Sequence, residues 1–413
     1  MKIAVIDHIG NFGGGSRVVR SLLPALKLLD PDLEITYFGN PTAIRREKTV
    51  TEFSATGIAV RELRSLLLSS SPMVSSAHVR RAIQLVQTGW LSGQNWLPTI
   101  LSGNTSKEVA KRVKGFDLAF YPWPFMLEFP ELACPSVGVF HDFNYKYYFG
   151  GSFAFSPSQR SQLEREMPVW LAKATPVVST NFMAGELANF YPEAAHKTRV
   201  VHLAPLGGGD LIDSRQAQEA VTRLGIQAPY VLYPTHLCSH KNLGPLIAAM
   251  AVLQEQGRQL KLVLTGAGTE AICGRASSIG VQLGKVGGNV HGLGYVSNFQ
   301  MDSLIQCAKA VVSPSLYEAG NGPGLDGWAR GTPVAMSCIP AFLEHLEVLD
   351  VRAQVFDPHS PDDIAEKIAF ILDNGAIARA DAEHSLRALK RLTWKHTAAA
   401  YLSIFRSVVK NSI

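Results

Sequence analysis

Two carboxylates, Glu318 and Asp326, stand with seven residues between them in the string SLYEAGNGPGLD. Gly320, Gly322 and Gly324 lie between them and leave backbone N–H groups uncovered, ahead of a short apolar helix marked by Leu325, Trp328 and Ala329. A helix N-terminus carries open amides and partial positive charge, so this loop suits a diphosphate. A carboxylate accepts from vicinal hydroxyls, so two of them beside a phosphate site suit a ribose and a sugar. A second stretch, PTHLCSHKN over 234–242, sets Lys241 at the head of a helix expected over 243–254. A third places His141-Asp142 just past a strand expected over 136–140, where α/β sheets present their ligands. Taken alone, these residues leave bland alternatives open: a plain strand–loop–helix turn, a surface lysine, and a histidine capping the next helix.

The elements that must hold these groups repeat one pattern. Residues 3–7 read as a buried strand, followed by Gly13-Gly14-Gly15 and an amphipathic helix carrying Val18, Val19, Leu22, Leu23 and Leu26. A strand over 33–38 completes a βαβ start. The glycine loop lacks GxGxxG spacing and no acidic residue closes the second strand, which disfavours a nicotinamide enzyme. Strands over 117–121 and 136–140, a helix over 164–174, a strand over 176–179, a helix over 182–191 and a strand over 200–203 follow. Residues 205–209 (PLGGG) read as a linker. The pattern then restarts, with strands over 230–233, 261–265, 290–293 and 311–312 and another at 334–336. Helices are expected over 302–308, 362–374, 376–390 and 394–409, the last with Ala398, Tyr401, Leu402 and Phe405 on one face.

A chain of 413 residues, 46% hydrophobic and 18% charged, has room for two globular domains of about 200 residues each. Five scattered cysteines with no Cys–Cys metal spacing point to a reduced compartment and to no metal centre. Residues 2–6 run straight into a strand, and no apolar run reaches 18 residues, so the expectation is a cytoplasmic chain without a signal peptide or spanning helix. The net charge of +5 does not call for nucleic acid. Residues 41–115 hold eleven Lys or Arg against four Glu, a local +7. Arg45, Arg46, Lys48, Arg61, Arg64, Arg80 and Arg81 alternate there with apolar patches such as 66–68, which fits either a solvated face or peripheral contact with an anionic membrane. Asp30-Pro31-Asp32 reads as a turn.

The string 314–334 resembles the nucleotide-sugar signature of the GT-B glycosyltransferases, in particular retaining family 4. It carries Pro314, Ser315, Glu318, Pro323, Asp326, Gly331, Pro333 and Val334, with Asp326 for the usual Glu and Gly320-Asn321 for the usual Phe-Gly. The Lys241-Asn242 pair matches the same family. The resemblance implies a GT-B fold: two Rossmann-like α/β domains facing across a cleft, with a last helix crossing back to the first. The division expected is 1–205 for the acceptor, 206–390 for the nucleotide sugar, and 391–413 for that helix. It implies a hexosyltransferase moving sugar from a nucleoside-diphosphate sugar to a saccharide or lipid-linked saccharide, with retention, without metal and without a further cofactor. Lys241, Glu318 and His141 are then the catalytic set: Lys241 on the diphosphate, Glu318 on the donor sugar, His141 near sugar or acceptor. Donor contacts fall to Gly13, Gly14, Gly15, Gly266, Asn321, Gly322, Gly324 and Leu325, with Asp326 on the ribose and backbone near Tyr295 on the base. His236 takes the place of an arginine as a pH-dependent cation.

Two other readings use the same residues. One is a GT-B enzyme that does not transfer, of the epimerase or phosphorylase type. The other is a nucleotide-binding scaffold without catalysis.

Overall fold

The computed structural model describes residues 1–8, 14–40, 44, 49–63, 105–147, 157–206, 211–227, 229–272 and 287–412. Gly13, Cys273, the 207–209 glycines and most of the basic tract, including Arg45, Arg46, Lys48, Arg64, Arg80 and Arg81, lie outside them. The chain forms two compact units. One joins Met1–Tyr148, Phe155–Leu203 and Trp394–Ile413; the other is built mainly on Ala204–Thr393.

The first unit holds a parallel sheet of β1 (Lys2–Asp7), β2 (Glu34–Gly39), β3 (Ala59–Glu62), β4 (Leu118–Tyr121), β5 (Ser136–Val139), β6 (Thr175–Val178) and β7 (Arg199–Val200), in the order β3-β2-β1-β4-β5-β6-β7. The central strands are short and apolar throughout because a parallel sheet is covered on both faces. Residues 118–121 and 136–139 are buried without a break. Helix Gly14–Leu29 turns Val19, Leu22, Leu23 and Leu26 onto Ile3 and Val5. The last helix, Trp394–Lys410, packs into the same core through Ala398, Tyr401, Leu402 and Phe405. Phe120 on β4 meets Tyr401 at 5.6 Å and Phe405 at 5.1 Å between ring centroids. Residues from both ends of the chain therefore build one core.

The second unit repeats the topology. β8 (Tyr230–Pro234), β9 (Lys261–Thr265), β10 (Val290–Gly292), β11 (Ala310–Ser313), β12 (Val334–Ser337) and β13 (Gln354–Phe356) are parallel in the order β10-β9-β8-β11-β12-β13. Side chains alternate across the strand. Val231 and Tyr233 of β8 join one core layer, under helices Leu243–Glu255 and Pro361–Asp373. Tyr230 and Leu232 join the other, with Trp328 and Leu304. In each unit the chain runs outward from one strand, returns to its other side and runs out again. The reversal falls between β1 and β4 and between β8 and β11, and loops leaving such a strand pair diverge into a ligand crevice.

Some bounds differ from the sequence expectation. The helix expected over 164–174 is Pro157–Lys173, and that expected over 302–308 is Asn298–Cys307. The second starts earlier because Ser297 and Gln300 form a reciprocal capping box. The strand expected over 200–203 pairs only at Arg199–Val200. Asp30–Asp32 is a turn, with Asp30 Oδ1 accepting from the Asp32 amide.

Candidate functional site

The reversal between β8 and β11 brings two of the singled-out residues into contact. Lys241 Nζ lies 2.5 Å from Glu318 Oε1. Lys241 ends the short turn Ser239–Lys241 after β8, and Glu318 lies in the loop after β11. Their side chains keep 15% and 18% of their surface. Burial disfavours the Lys241 ammonium, but the Glu318 carboxylate outweighs it and holds the lysine above its ordinary value. Burial likewise disfavours the Glu318 charge; Lys241, helped by a Ser315 hydrogen bond, outweighs it and holds the carboxyl below its ordinary range. The pair is ionised at neutral pH.

Groups that sequence reasoning did not assign hold the pair in place. Ser315 Oγ donates to Glu318 Oε1 at 2.7 Å and lies 3.0 Å from the buried Tyr233 hydroxyl, which bonds the Lys241 carbonyl at 3.1 Å. Burial pushes the Tyr233 phenol up to about 12, so it stays a neutral clamp. Asn242, in the left-handed region at φ 56°, donates from Nδ2 to Pro314 O at 2.9 Å and Pro358 O at 2.7 Å. One side chain thus ties the loops after β8, β11 and β13. The His240 carbonyl accepts from the Leu316 amide at 2.8 Å. The residue types offer a signal for some of this: Tyr233 ends an apolar strand, Ser315 follows the strand-stopping Pro314, and Asn tolerates the left-handed conformation. Both hydrogen bonds to Glu318 land on Oε1, so among the described residues Oε2 receives none. Lys241 has three N–H donors and Glu318 uses one.

At His236, expected to be a pH-dependent cation, the charged form is confined to acid. Its side chain is exposed, yet desolvation by the protein around the ring, with the Lys241 charge added, pushes it down to about 4. His240, buried, is pushed to about 4 by burial as well. Both imidazoles are neutral near pH 7. With Cys238 they form the cluster among the described residues whose ligand types could hold a metal ion.

The glycine loop differs from expectation in what its amides do. Helix Gly322–Trp328 has seven residues. Asn321, wholly buried, turns its side chain inward and caps it: Oδ1 accepts from Gly324 N at 2.8 Å and from Ser313 Oγ at 3.1 Å. The Leu325 amide bonds Asn321 O at 2.9 Å. The amides of Gly324 and Leu325 are therefore spent on the helix itself rather than facing a phosphate, and the Asn321 side chain serves the fold. At Gly322 a Cβ would meet open space. Asp326 is 3% exposed. Gly266, at φ 118° after β9, lies so close to the loop after β8 that a Cβ would sit 1.9 Å from Thr235 O; its amide bonds Gly294 O at 2.7 Å. Next to Gly294, Tyr295 presents 58% of its surface.

In the first unit, His141 follows β5 and its Nε2 lies 2.9 Å from Pro122 O. That bond sets Nε2–H as donor and leaves Nδ1 as acceptor. Burial pushes this imidazole down to about 4. Asp142 Oδ1 accepts from the Asn144 amide at 3.1 Å, so the aspartate, not His141, shapes the following turn. His8, after β1, is a residue that sequence reasoning passed over. Its Nε2 lies 2.8 Å from Phe125 O. Two imidazoles thus hold the two ends of the 122–125 loop that leaves β4. Gly14 and Gly15 sit in the first turn of helix Gly14–Leu29.

Residues 214–388 match the family Glycosyl transferases group 1. The D-inositol 3-phosphate glycosyltransferase of a Nocardioides species is 26% identical over 268 residues, 61% of this chain and 57% of that protein. The chain thus spans little more than half of that relative. The family and this relative are glycosyltransferases by name. Anabaena HepE, solved in complex with UDP and glucose, superposes with a TM-score of 0.69 at 15% identity, covering 98% of this chain and 100% of that one. Sucrose-phosphate synthase from Thermosynechococcus elongatus superposes at 0.69 and 19% identity, covering 100% of both chains. The likeness shows the fold: two parallel-sheet α/β units of the GT-B type.

Proposed function

We propose that this chain is a glycosyltransferase that moves a hexose from a nucleoside-diphosphate sugar to a hydroxyl of a saccharide or lipid-linked saccharide, with retention and without metal. The observation that carries the reading is the Lys241–Glu318 pair at the β8/β11 reversal, inside the residues that match the glycosyltransferase family. When the diphosphate leaves the anomeric carbon, charge builds on its oxygens. Lys241 keeps one N–H on Glu318 and turns the others to those oxygens, a donor already in place before reaction. Glu318 Oε2 accepts from a hydroxyl of the sugar. Asp326, at 3% exposure, reaches a ribose only if the nucleoside seats directly on helix Gly322–Trp328, and backbone beside Tyr295 takes the base. His141, with Nδ1 as acceptor, stands for the acceptor side. That Anabaena HepE was solved with UDP and glucose makes a uridine nucleotide the first to test.

Lys241 supplies the charge that a metal would otherwise supply, so turnover should persist in EDTA; loss with rescue by manganese would count against that. No helix among the described residues is long and apolar enough to cross a membrane. A cytoplasmic enzyme with peripheral contact through 41–115 remains part of the proposal, tested by flotation with anionic liposomes at low salt. The deciding experiment is calorimetric titration with UDP, GDP, dTDP and NAD in EDTA. Binding of one nucleoside diphosphate, weakened in Lys241→Ala, is the expected result. Binding of NAD alone would overturn the reading, and binding without turnover would leave a scaffold.

A further inference from the structure

We propose that His236, Cys238 and His240 form a binding site for a zinc-class divalent ion, on the loop that carries Lys241. Their ligand atoms all lie within 4.8 Å of one another. The sequence reading weighed only Cys–Cys spacings and so passed over this His-x-Cys-x-His run. Two imidazoles and a thiolate make a borderline-soft donor set, the kind that takes Zn2+ rather than Mg2+ or Ca2+.

The loop that presents them is tethered on both sides. Thr235 N bonds Thr265 O at 2.7 Å, Leu237 N bonds Ala267 O at 3.3 Å, and Asn242 ties the far end to Pro314 and Pro358. Zn–N and Zn–S bonds in a tetrahedron put donor atoms about 3.5 Å apart, so closure requires roughly 1 Å of contraction. The three side chains grade from exposed to buried: His236 at the surface, Cys238 half-buried, His240 inside. The His236 and His240 rings stand 6.1 Å apart between centroids, and the His240 backbone is held by its carbonyl accepting from the Leu316 amide. The Lys241 ammonium on the same loop is compensated by Glu318 at 2.5 Å, so its repulsion of an incoming ion is largely cancelled. Three protein ligands leave a fourth position for water. On binding, the Cys238 S–H bond breaks, its proton goes to solvent, and the sulfur lone pair forms the metal bond. The site shares its loop, and His236, with the donor contacts that the family resemblance implies, and no step of the transfer passes through the ion.

The test is titration of the chelator-stripped full chain with Co2+, then displacement by Zn2+, followed by absorbance and by proton release at neutral pH. Saturation at one equivalent, a thiolate-to-cobalt charge-transfer band and about one proton released per ion are expected. Cys238→Ser should abolish the band, and His240→Asn should weaken binding by more than about ten-fold. Cys307→Ser, at a half-buried cysteine elsewhere in the unit, should leave both unchanged. Circular dichroism confirms that the variants are folded. A band that survives in Cys238→Ser, or uptake that never saturates at one equivalent, overturns the site.

Discussion

Lys241 Nζ and Glu318 Oε1 are 2.5 Å apart although 77 residues separate them in the chain. Only the reversal of strand order between β8 and β11 makes that approach possible. The behaviour of this pair can be measured without knowing the substrate.

A double-mutant cycle with Lys241→Met and Glu318→Gln, read by urea unfolding, should give a coupling of about 1–3 kcal/mol at pH 7. The Lys241 pKa is raised, so its contribution is present below 10.5 and is lost as pH rises through the folded value. The Glu318 pKa is depressed, so its contribution is present above 4.5 and is lost as pH falls through the folded value. Coupling should therefore be level from pH 5 to 10 by these two references and shrink on either side. A coupling under about 0.5 kcal/mol at pH 7 would mean that the contact carries no energy.

Acid should destabilise the chain before the carboxylates titrate. His141 and His240 fall from 6.5 to about 4 on folding. Between those values the unfolded chain takes up protons that the folded one refuses, so stability is full above 6.5 and declines as pH falls towards 4. Each imidazole contributes up to about 3 kcal/mol to that decline. In a pH series of unfolding curves, His240→Gln should flatten the slope between pH 6.5 and 4; an unchanged slope would contradict the neutral buried state.

Two glycines separate fold from function. Gly266→Ala forces a side chain at φ 118° against Thr235 O and should cost on the order of 3 kcal/mol or more, with a clear drop in Tm. Gly322→Ala meets open space at a helix start and should be neutral or stabilising by up to about 1 kcal/mol. Equal Tm shifts would show that the close approach at Gly266 is not real.

Asn242 offers a test of the loop tie. Asn242→Gly keeps the left-handed backbone but strips two hydrogen bonds from Pro314 O and Pro358 O, at a cost of about 1–3 kcal/mol. Asn242→Ala loses the bonds and adds backbone strain, so it should be the less stable by about 1 kcal/mol. If the two variants melt together, φ 56° is not what demands this residue.

The βαβ repeats were readable because they depend on local patterns. Apolar runs such as Val231 to Tyr233 fit strands covered on both faces, and the face of Ala398, Tyr401, Leu402 and Phe405 has helical spacing. Lys241 and Glu318 were readable as chemistry, but not as partners. Their contact depends on which strands become neighbours, and no spacing in the chain encodes that. Asn321 looked like a ligand in a glycine loop; it faces inward because the buried amide of Gly324 needs an acceptor there. His236 read as a pH-dependent cation; its charge state follows from the desolvation and the neighbouring ammonium that folding imposes. Residue types set what each group is able to do. The strand order, by choosing each group's neighbours and how much water it keeps, settles which of those abilities it retains.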